Sequence, residues 1–315
     1  MANQSGDLAI EARGLQKSFG PVAAVAGLDL QVNRGEIFGL VGPDGAGKTT
    51  TMRMLSGAMA PTGGSARICG FDVVVQAREA KRRVGYVPQR LSLYGELTVE
   101  EHIRFNARLR GITGRSFEER RDQLLSFSRL APFRDRLAED LSGGMRQKLA
   151  LACGLLHQPE VLLLDEPTTG LDPVSRGEFW ELLLELVGGG STVLASTAYM
   201  EEAERCQRLG LLYRGRLLRV GLPDEIRRQA ALELLEVACQ PLFEARNAVR
   251  QASGVRWVEL FGDRLHVAVH GAEQAEQPVR EAAQRAGVRV ETLRAVPVGL
   301  EDAFFELVRE AEGVR

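Results

Sequence analysis

A glycine-rich segment with one lysine and one threonine has the spacing of a phosphate-binding loop. Residues 42–49 read GPDGAGKT and fit the pattern G-x-x-x-x-G-K-[ST]. The glycines let backbone N–H groups surround phosphate oxygens, and a helix that begins after the loop adds the positive end of its dipole. Lys48 can then bridge the β- and γ-phosphates of a nucleotide, while the Thr49 hydroxyl can ligate Mg²⁺. The segment therefore predicts a nucleoside triphosphate site.

Two adjacent carboxylates follow an apolar run farther along the chain. Residues 161–164 read VLLL and precede Asp165 and Glu166. Ligands of wound sheets bind beyond the carboxyl ends of the strands, so both side chains would face a bound nucleotide. Asp165 would hold Mg²⁺ through its coordination shell, and Glu166 would orient or deprotonate the attacking water. The alternative is an acidic strand cap, which the phosphate-binding motif upstream disfavours.

The elements around these motifs predict a wound α/β domain. Residues 36–41 form a short apolar run before the loop, and residues 49–57 have a helical pattern after it. The continuous apolar runs at 161–164 and 192–195 are typical of buried parallel strands. Strand, glycine-rich loop and helix in this order argue against a chance glycine-rich turn.

The rest of the chain predicts a helical section and a second domain. Residues 99–137 are rich in arginine and glutamate and have helical apolar spacing, which favours solvated helix faces and ion pairs. Beyond Pro223 the pattern is strand, helix, two strands, helix, strand and helix, which predicts a split βαβ, ferredoxin-like α+β module. We therefore expect domains at 1–222 and 223–315.

The composition excludes several other classes of protein. The chain has 315 residues, of which 44% are hydrophobic and 26% charged, a globular balance that excludes disorder, collagen and coiled-coil arrays. A net charge of −2 argues against a nucleic-acid partner. No apolar run approaches the ~18 residues of a membrane helix, and the first seven residues lack a signal-peptide pattern, so a cytoplasmic location is expected. The four cysteines lack CxxC spacing and predict buried thiols rather than a zinc site or disulfides.

Further motifs resemble those of ABC-type ATPases. Residues 141–147 read LSGGMRQ, similar to the family's signature sequence. Gln89 looks like the Q-loop glutamine, residues 170–173 (GLDP) look like the D-loop, and Phe19 lies where these proteins stack an aromatic ring on adenine. The resemblance covers about residues 8–222. It implies a wound sheet with an antiparallel β subdomain and a helical insertion at about 90–141, and it implies hydrolysis of ATP with Mg²⁺.

The resemblance also implies roles for individual residues. The implied catalytic residues are Glu166, Lys48 and Gln89. The implied magnesium ligands are Thr49, Gln89 and Asp165. Contacts to the nucleotide fall to Phe19, Gly42, Asp44, Gly45, Ala46, Gly47, Lys48, Thr49, Thr50, Gln89, Ser142, Gly143, Gly144 and Asp172.

The signature predicts a second ATPase domain as partner. Residues 142–144 open a helical pattern and so form a second anion-binding N-terminus, although Ser142 would also serve as an ordinary N-cap. In the family this helix end caps ATP held by a second, head-to-tail domain. Dimerisation around two ATP molecules, with a second copy or a paralogous subunit, is therefore implied.

Two positions depart from the family pattern. Ala198 stands where these ATPases carry a histidine that contacts the γ-phosphate, and loss of one such donor typically costs about 10²–10³ in rate. Asp44 replaces the usual asparagine and adds a negative charge beside the triphosphate. Either the chain is a slow ATPase that acts as a homodimer, or it is the weaker half of an asymmetric pair. The motif set resembles the first half of tandem-ATPase export subunits, and we favour asymmetry.

The function implied by the resemblance is export across a membrane. Permease subunits would span the membrane, with this chain peripheral on its inner face, and the segment from Gln89 through the helical insertion resembles the surface that receives them. Residues 297–307 resemble the end of accessory domains on drug- and glycolipid-export ATPases of the daunorubicin-resistance type. Drugs or lipid-like compounds are the expected cargo. The alternative is a regulatory nucleotide-binding module.

In the C-terminal module, His266 and His270 share one strand face, which we expect to be the solvated side of a half-buried strand.

Overall fold

A computed structural model describes residues 8–313, and these divide into two compact units between Gly221 and Leu222. In this part of the chain, no helix has the length and apolar character needed to cross a membrane. The elements of the first unit are β1 (Leu8–Phe19), β2 (Val22–Asn33), β3 (Ile37–Val41), α1 (Lys48–Leu55), β4 (Gly63–Ile68), β5 (Phe71–Asp72), α2 (Ala77–Arg82), β6 (Val84–Val87), α3 (Val99–Leu109), α4 (Gly114–Phe127), α5 (Gly143–Leu155), β7 (Val161–Asp165), α6 (Pro173–Gly188), β8 (Thr192–Thr197), α7 (Met200–Ala203), β9 (Arg208–Tyr213) and β10 (Arg216–Gly221).

Two sheets form the first unit. The larger has the order β10-β9-β3-β8-β7-β6, in which β6, β7, β8, β3 and β9 are parallel neighbours and β10 is antiparallel to β9. The smaller is an antiparallel sheet of order β2-β1-β4-β5. This is the wound sheet with an antiparallel β subdomain that the sequence resemblance implies.

The apolar strands are buried on both faces. On β7, Val161 and Leu163 contribute to the core shared with β1, β2 and α1, whereas Leu162 and Leu164 contribute to a second core with α3, α4, α5 and α6. A strand with helices or a sheet on both sides needs a continuous apolar run, which explains why β7 does not alternate with polar residues. Both cores hold β7 in place, and its carboxyl end carries Asp165.

Helices occupy much of the segment between β6 and β7. The hydroxyl of Thr98 caps α3 by accepting from the backbone N–H of Glu101, and the Glu101 carboxylate accepts from the backbone N–H of Thr98. Short 3₁₀ turns at Ala131–Phe133 and Ala138–Asp140 connect α4 to α5. Many of the arginines in this segment form ion pairs with neighbouring carboxylates, such as Arg104 with Glu100 at 2.6 Å.

The second unit has the predicted ferredoxin-like arrangement with an additional helix before it. Its elements are α8 (Pro223–Gln229), β11 (Glu233–Gln240), α9 (Leu242–Val249), β12 (Val255–Phe261), β13 (Arg264–Val269), α10 (Ala272–Arg285), β14 (Arg289–Val296) and α11 (Leu300–Glu312). The sheet order is β12-β13-β11-β14 and all neighbours are antiparallel. Helices α9 and α10 cover one face, and Phe305 of α11 packs edge-on against Trp257 on the other face at 4.9 Å.

The structure corrects our expectation for His266. Its ring stacks on Phe261 at 4.2 Å, and Nδ1 lies 2.8 Å from Oδ1 of the buried Asp302, so this face packs against α11 instead of facing solvent. The same Asp302 accepts from the backbone N–H of Gly299 and caps α11. Residues 8–313 contain no cluster of His, Cys, Asp and Glu suited to a metal ion. His266 is therefore part of the packing of α11 on the sheet.

Candidate nucleotide site

The loop between β3 and α1 is shaped by its glycines. Gly47 has a φ of 109°, and a Cβ there would lie 2.5 Å from the Ala24 carbonyl oxygen; a Cβ at Gly42 would lie 2.1 Å from that of Leu212. Side chains at these positions would break the loop. The loop borders a cleft of about 440 Å³, whose lining is Ala24, Asp44, Gly45, Gly47, Lys48, Thr49, Thr50, Gln89 and Glu166.

Lys48 is buried at the base of this cleft, and each of its three N–H donors has an acceptor. Nζ lies 2.7 Å from the Gly42 carbonyl oxygen and 3.0 Å from that of Pro43. It also forms a 3.0 Å ion pair with Oε1 of Glu166. The lysine is therefore held in the loop by internal contacts that phosphate oxygens would have to replace.

Glu166 is placed by a strained backbone. Its φ of 48° is in the left-handed region, which non-glycine residues rarely adopt. Its backbone N–H donates to Ser196 Oγ at 3.0 Å, and its Oε2 accepts from Nε2 of Gln89 at 2.7 Å. The Glu166 carboxylate thus lies between Lys48 and Gln89, which brings all three predicted catalytic side chains together.

Asp165 has the features of a magnesium ligand. It is 1% exposed, and its Oδ1 accepts from Thr49 Oγ1 at 3.1 Å and from Ser196 Oγ at 2.8 Å. Its Oδ2 is buried and has no hydrogen-bond partner among the described residues. Burial raises the pKa of Asp165 above its usual value. A buried carboxylate oxygen without a partner, beside a threonine hydroxyl, fits the all-oxygen coordination that Mg²⁺ prefers.

The signature and D-loop residues lie outside the cleft lining. Ser142 caps α5 by accepting from the Met145 backbone N–H at 3.2 Å, so the alternative N-cap interpretation also holds. Asp172 caps α6 in the same way, through the backbone N–H groups of Val174 and Ser175. Both helix N-termini are therefore ordered within this chain, and the exposed side chain of Ser142 is accessible to another molecule.

Other predicted contact residues are distributed around the loop. Phe19 is 49% exposed at the end of β1, with the Lys17 ammonium 5.4 Å from its ring centroid, and it does not line the cleft. Ala46 is buried beneath the loop, where its carbonyl oxygen accepts from the Gly215 backbone N–H. Ala198 follows β8 directly and is exposed, with a methyl group where the family pattern has an imidazole.

Sequence reasoning missed several polar residues next to the site. Ser196 joins Asp165 to the Glu166 backbone, and Glu202 accepts hydrogen bonds from Thr168 and Thr197. The only available signal was the polar sequence around position 198, and polarity alone does not reveal which side chains are buried together.

The fold and this site define a nucleotide-binding protein with a phosphate-binding loop. Residues 25–169 match the family model described as ABC transporter. The "Probable multidrug ABC transporter ATP-binding protein YbhF" of Escherichia coli (strain K12) is 44% identical over 72% of this chain, which spans only 39% of that relative. The "Daunorubicin resistance ATP-binding protein DrrA3" of Streptomyces coeruleorubidus is 36% identical over 98% of both chains. A solved "ATP binding subunit of ABC transporter" superposes with a TM-score of 0.64 and 33% identity, covering 71% of this chain and 93% of that one.

The chain belongs to the family of ABC transporter ATP-binding proteins. The match over nearly the full length of a relative includes the second unit as well as the first. Its first unit contains residues 25–169, which match the family model.

Proposed function

We propose that this chain hydrolyses ATP to energise export through separate membrane-spanning permease subunits. The observation that carries the proposal is that Lys48 and Glu166 line one cleft beside a phosphate-binding loop, while the buried Asp165 accepts a hydrogen bond from Thr49 of that lining. We propose drugs or lipid-like compounds as cargo, and the names of the multidrug and daunorubicin-resistance relatives support drugs. We also propose a functional boundary between the ATPase and an accessory domain at 222/223, one residue from the division between Gly221 and Leu222.

The chain's own residues would divide the chemistry among them. Lys48 would exchange its acceptors for the β- and γ-phosphate oxygens, and the loop N–H groups would surround the remaining charge. Glu166, released from Lys48, would orient the attacking water and accept its proton. Thr49, Asp165 and Gln89 would hold Mg²⁺, which when bound neutralises charge on the phosphates. Gln89 would use its Oε1 for the metal, because its Nε2 donates to Glu166.

The segment after Gln89 supports a permease contact. Tyr94, Phe105 and Leu109 are 55%, 39% and 71% exposed, and the rings of Tyr94 and Phe105 meet edge-on at 5.6 Å. Exposed aromatic and leucine side chains are common at protein interfaces. We propose that this surface of α3 receives a helix of a permease subunit, which would place the chain on the inner face of the membrane.

We further propose that the chain is the weaker member of an asymmetric ATPase pair. At position 198 a methyl group cannot donate to the γ-phosphate, whereas the signature helix α5 keeps its exposed N-terminus for the site of a partner. The chain would then bind ATP and hydrolyse it slowly, while its signature completes a competent site on the other subunit.

The test measures ATP binding and hydrolysis by the purified chain. We expect the wild type to bind Mg-ATP and to hydrolyse it slowly. The hydrolysis rate should rise at least about tenfold in Ala198→His, because the imidazole restores a hydrogen-bond donor whose loss typically lowers the rate by about 10²–10³. Tyr199→His is the matched control and places the same ring one residue away. Rapid wild-type turnover that Ala198→His does not change would overturn the asymmetry. Binding without hydrolysis in every variant would favour the regulatory module, and Lys48→Ala should abolish binding.

A further inference from the structure

A buried carboxylate outside the cleft connects the segments that carry the proposed catalytic groups. Glu202, in the short helix α7, is 1% exposed. Its Oε2 accepts from Thr197 Oγ1 at 2.7 Å, and its Oε1 accepts from Thr168 Oγ1. Both threonines are themselves buried, at 2% and 1% exposure. Because hydrogen bonds to a buried carboxylate are strong and costly to lose, these contacts fix two loops against each other.

Thr168 lies near a residue of the proposed reaction, and Thr197 lies next to the position where the family pattern has a histidine. Thr168 lies two residues after Glu166, and its carbonyl oxygen accepts from the Leu171 backbone N–H, next to Asp172. Thr197 immediately precedes Ala198, and its carbonyl oxygen accepts from the Gly42 backbone N–H at 3.2 Å. Glu202 thereby joins the loop after β7 to the loop after β8, and through Thr197 to the start of the phosphate-binding loop.

The helix that follows the D-loop reaches the same carboxylate. Arg176 Nε lies 3.6 Å from Oε1 of Glu202, and the Arg176 guanidinium lies 4.9 Å from the ring centroid of Tyr199. The Tyr199 backbone N–H in turn donates to Thr197 Oγ1 at 3.0 Å. Arg176 also supplies positive charge to a carboxylate that is almost fully removed from water.

We infer that Glu202 is a positioning residue for ATP hydrolysis: it holds Glu166, position 198 and the D-loop in register through Thr168, Thr197 and Arg176. The inference rests on the proposed ATPase function. Glu202 does not line the cleft, so it would act on the reaction rate through geometry and leave nucleotide affinity nearly unchanged.

The test compares Glu202→Gln with Glu201→Gln in the full chain. Glu201 is the neighbouring residue of α7, and its 91% exposed side chain only approaches Arg176 at 4.0 Å, so it controls for loss of a charge on this helix. We expect kcat to fall about 10- to 100-fold in Glu202→Gln, with the Kd for ATP within about twofold of wild type. Glu201→Gln should match wild type in both. Equal kcat in the two variants, or parallel losses of kcat and ATP affinity, would overturn the inference.

Amide hydrogen exchange gives a second readout that does not require hydrolysis. Exchange in residues 167–172 and 196–200 should become faster in Glu202→Gln and remain unchanged in Glu201→Gln, because local opening reports on the lost hydrogen bonds. Unchanged exchange in both segments would refute the positioning role. If the wild type itself does not hydrolyse ATP, the proposed function fails, and exchange alone then decides the inference. If Glu202→Gln does not fold, Thr168→Val removes one of the two hydroxyl contacts and takes its place.

Discussion

The ion pair between Lys48 and Glu166 leads to a quantitative prediction about nucleotide affinity. The Lys48 ammonium has acceptors in Gly42, Pro43 and Glu166, and only the last is charged. Phosphate oxygens that bind Lys48 compete with this carboxylate, and they are also repelled by it. Glu166→Gln removes the charge but keeps a carbonyl oxygen that can accept from Lys48. We therefore expect this variant to bind ADP more tightly than wild type, independently of any effect on hydrolysis.

The separation of the two charges sets the magnitude. At 3.0 Å, two unit charges attract each other by about 5.5 kcal/mol at an effective dielectric constant of about 20. The cost of burying both charges offsets much of this, and the glutamine oxygen retains part of the remainder. We expect about 1–2 kcal/mol to appear as binding free energy, which corresponds to an affinity gain of about 5- to 30-fold.

Calorimetric titration with ADP in the presence of EDTA isolates this effect from metal binding and from chemistry. The control is Glu160→Gln, the same substitution just before β7, where the carboxylate pairs with Arg34 at 2.7 Å. Glu160→Gln should bind ADP within about twofold of wild type. Equal or weaker ADP binding by Glu166→Gln would show that the ion pair does not compete with phosphate, and the argument from Lys48 would fail.

Two further predictions concern the magnesium ligand and the signature helix. Burial raises the pKa of Asp165 above its usual value of 3.8, so its charged form destabilises the fold: the unfolding free energy should fall as pH rises through the raised pKa. In EDTA at pH 7, Asp165→Asn should therefore be more stable to denaturant than wild type, and this difference should vanish below about pH 4. A variant that is no more stable than wild type at pH 7 would contradict the conclusion that burial disfavours the charged carboxylate. A Cβ at Gly144 would lie 2.8 Å from Ser175, so Gly144→Ala should lose about 1–3 kcal/mol of stability. Gly143→Ala, whose Cβ would meet only Leu171 at 3.4 Å, should lose less than about 1 kcal/mol, and equal losses would exclude close packing of α5 on α6 as the cause.

The sequence was most informative where local chemistry and local geometry coincide. A phosphate-binding loop needs its glycines, lysine and threonine within eight residues, so residues 42–49 predict the loop and a helix after it. That helix was expected at 49–57 and is observed at Lys48–Leu55. In the second unit, turn residues and alternating apolar residues predicted the order of strands and helices. The sheet order β12-β13-β11-β14 follows because a split βαβ pattern leaves few ways to pair its strands.

Contacts between distant segments were not predictable in the same way. His266 and Asp302 are 36 residues apart, and only the packing of α11 on the sheet brings them to 2.8 Å. Glu202 likewise reads as one of several acidic residues on a short helix, whereas burial makes it the acceptor for two threonines. Hydrophobic periodicity assigns a side chain to one face of a helix or strand, but it does not show which other element packs against that face.

The contacts around position 198 connect the proposed asymmetry with the role of Glu202. Although the histidine is absent, Thr197 and Tyr199 on either side of Ala198 remain hydrogen-bonded to each other, and Thr197 to Glu202. The backbone that would present an imidazole is therefore still held in place, which is why Ala198→His is expected to restore activity. The two substitutions should not be additive, since a histidine on a loosened loop loses its alignment. The double variant Ala198→His, Glu202→Gln should recover little of the rate gained by Ala198→His alone, whereas Ala198→His, Glu201→Gln should keep it. Full retention of the gain in the Glu202→Gln background would show that position 198 is held by other contacts.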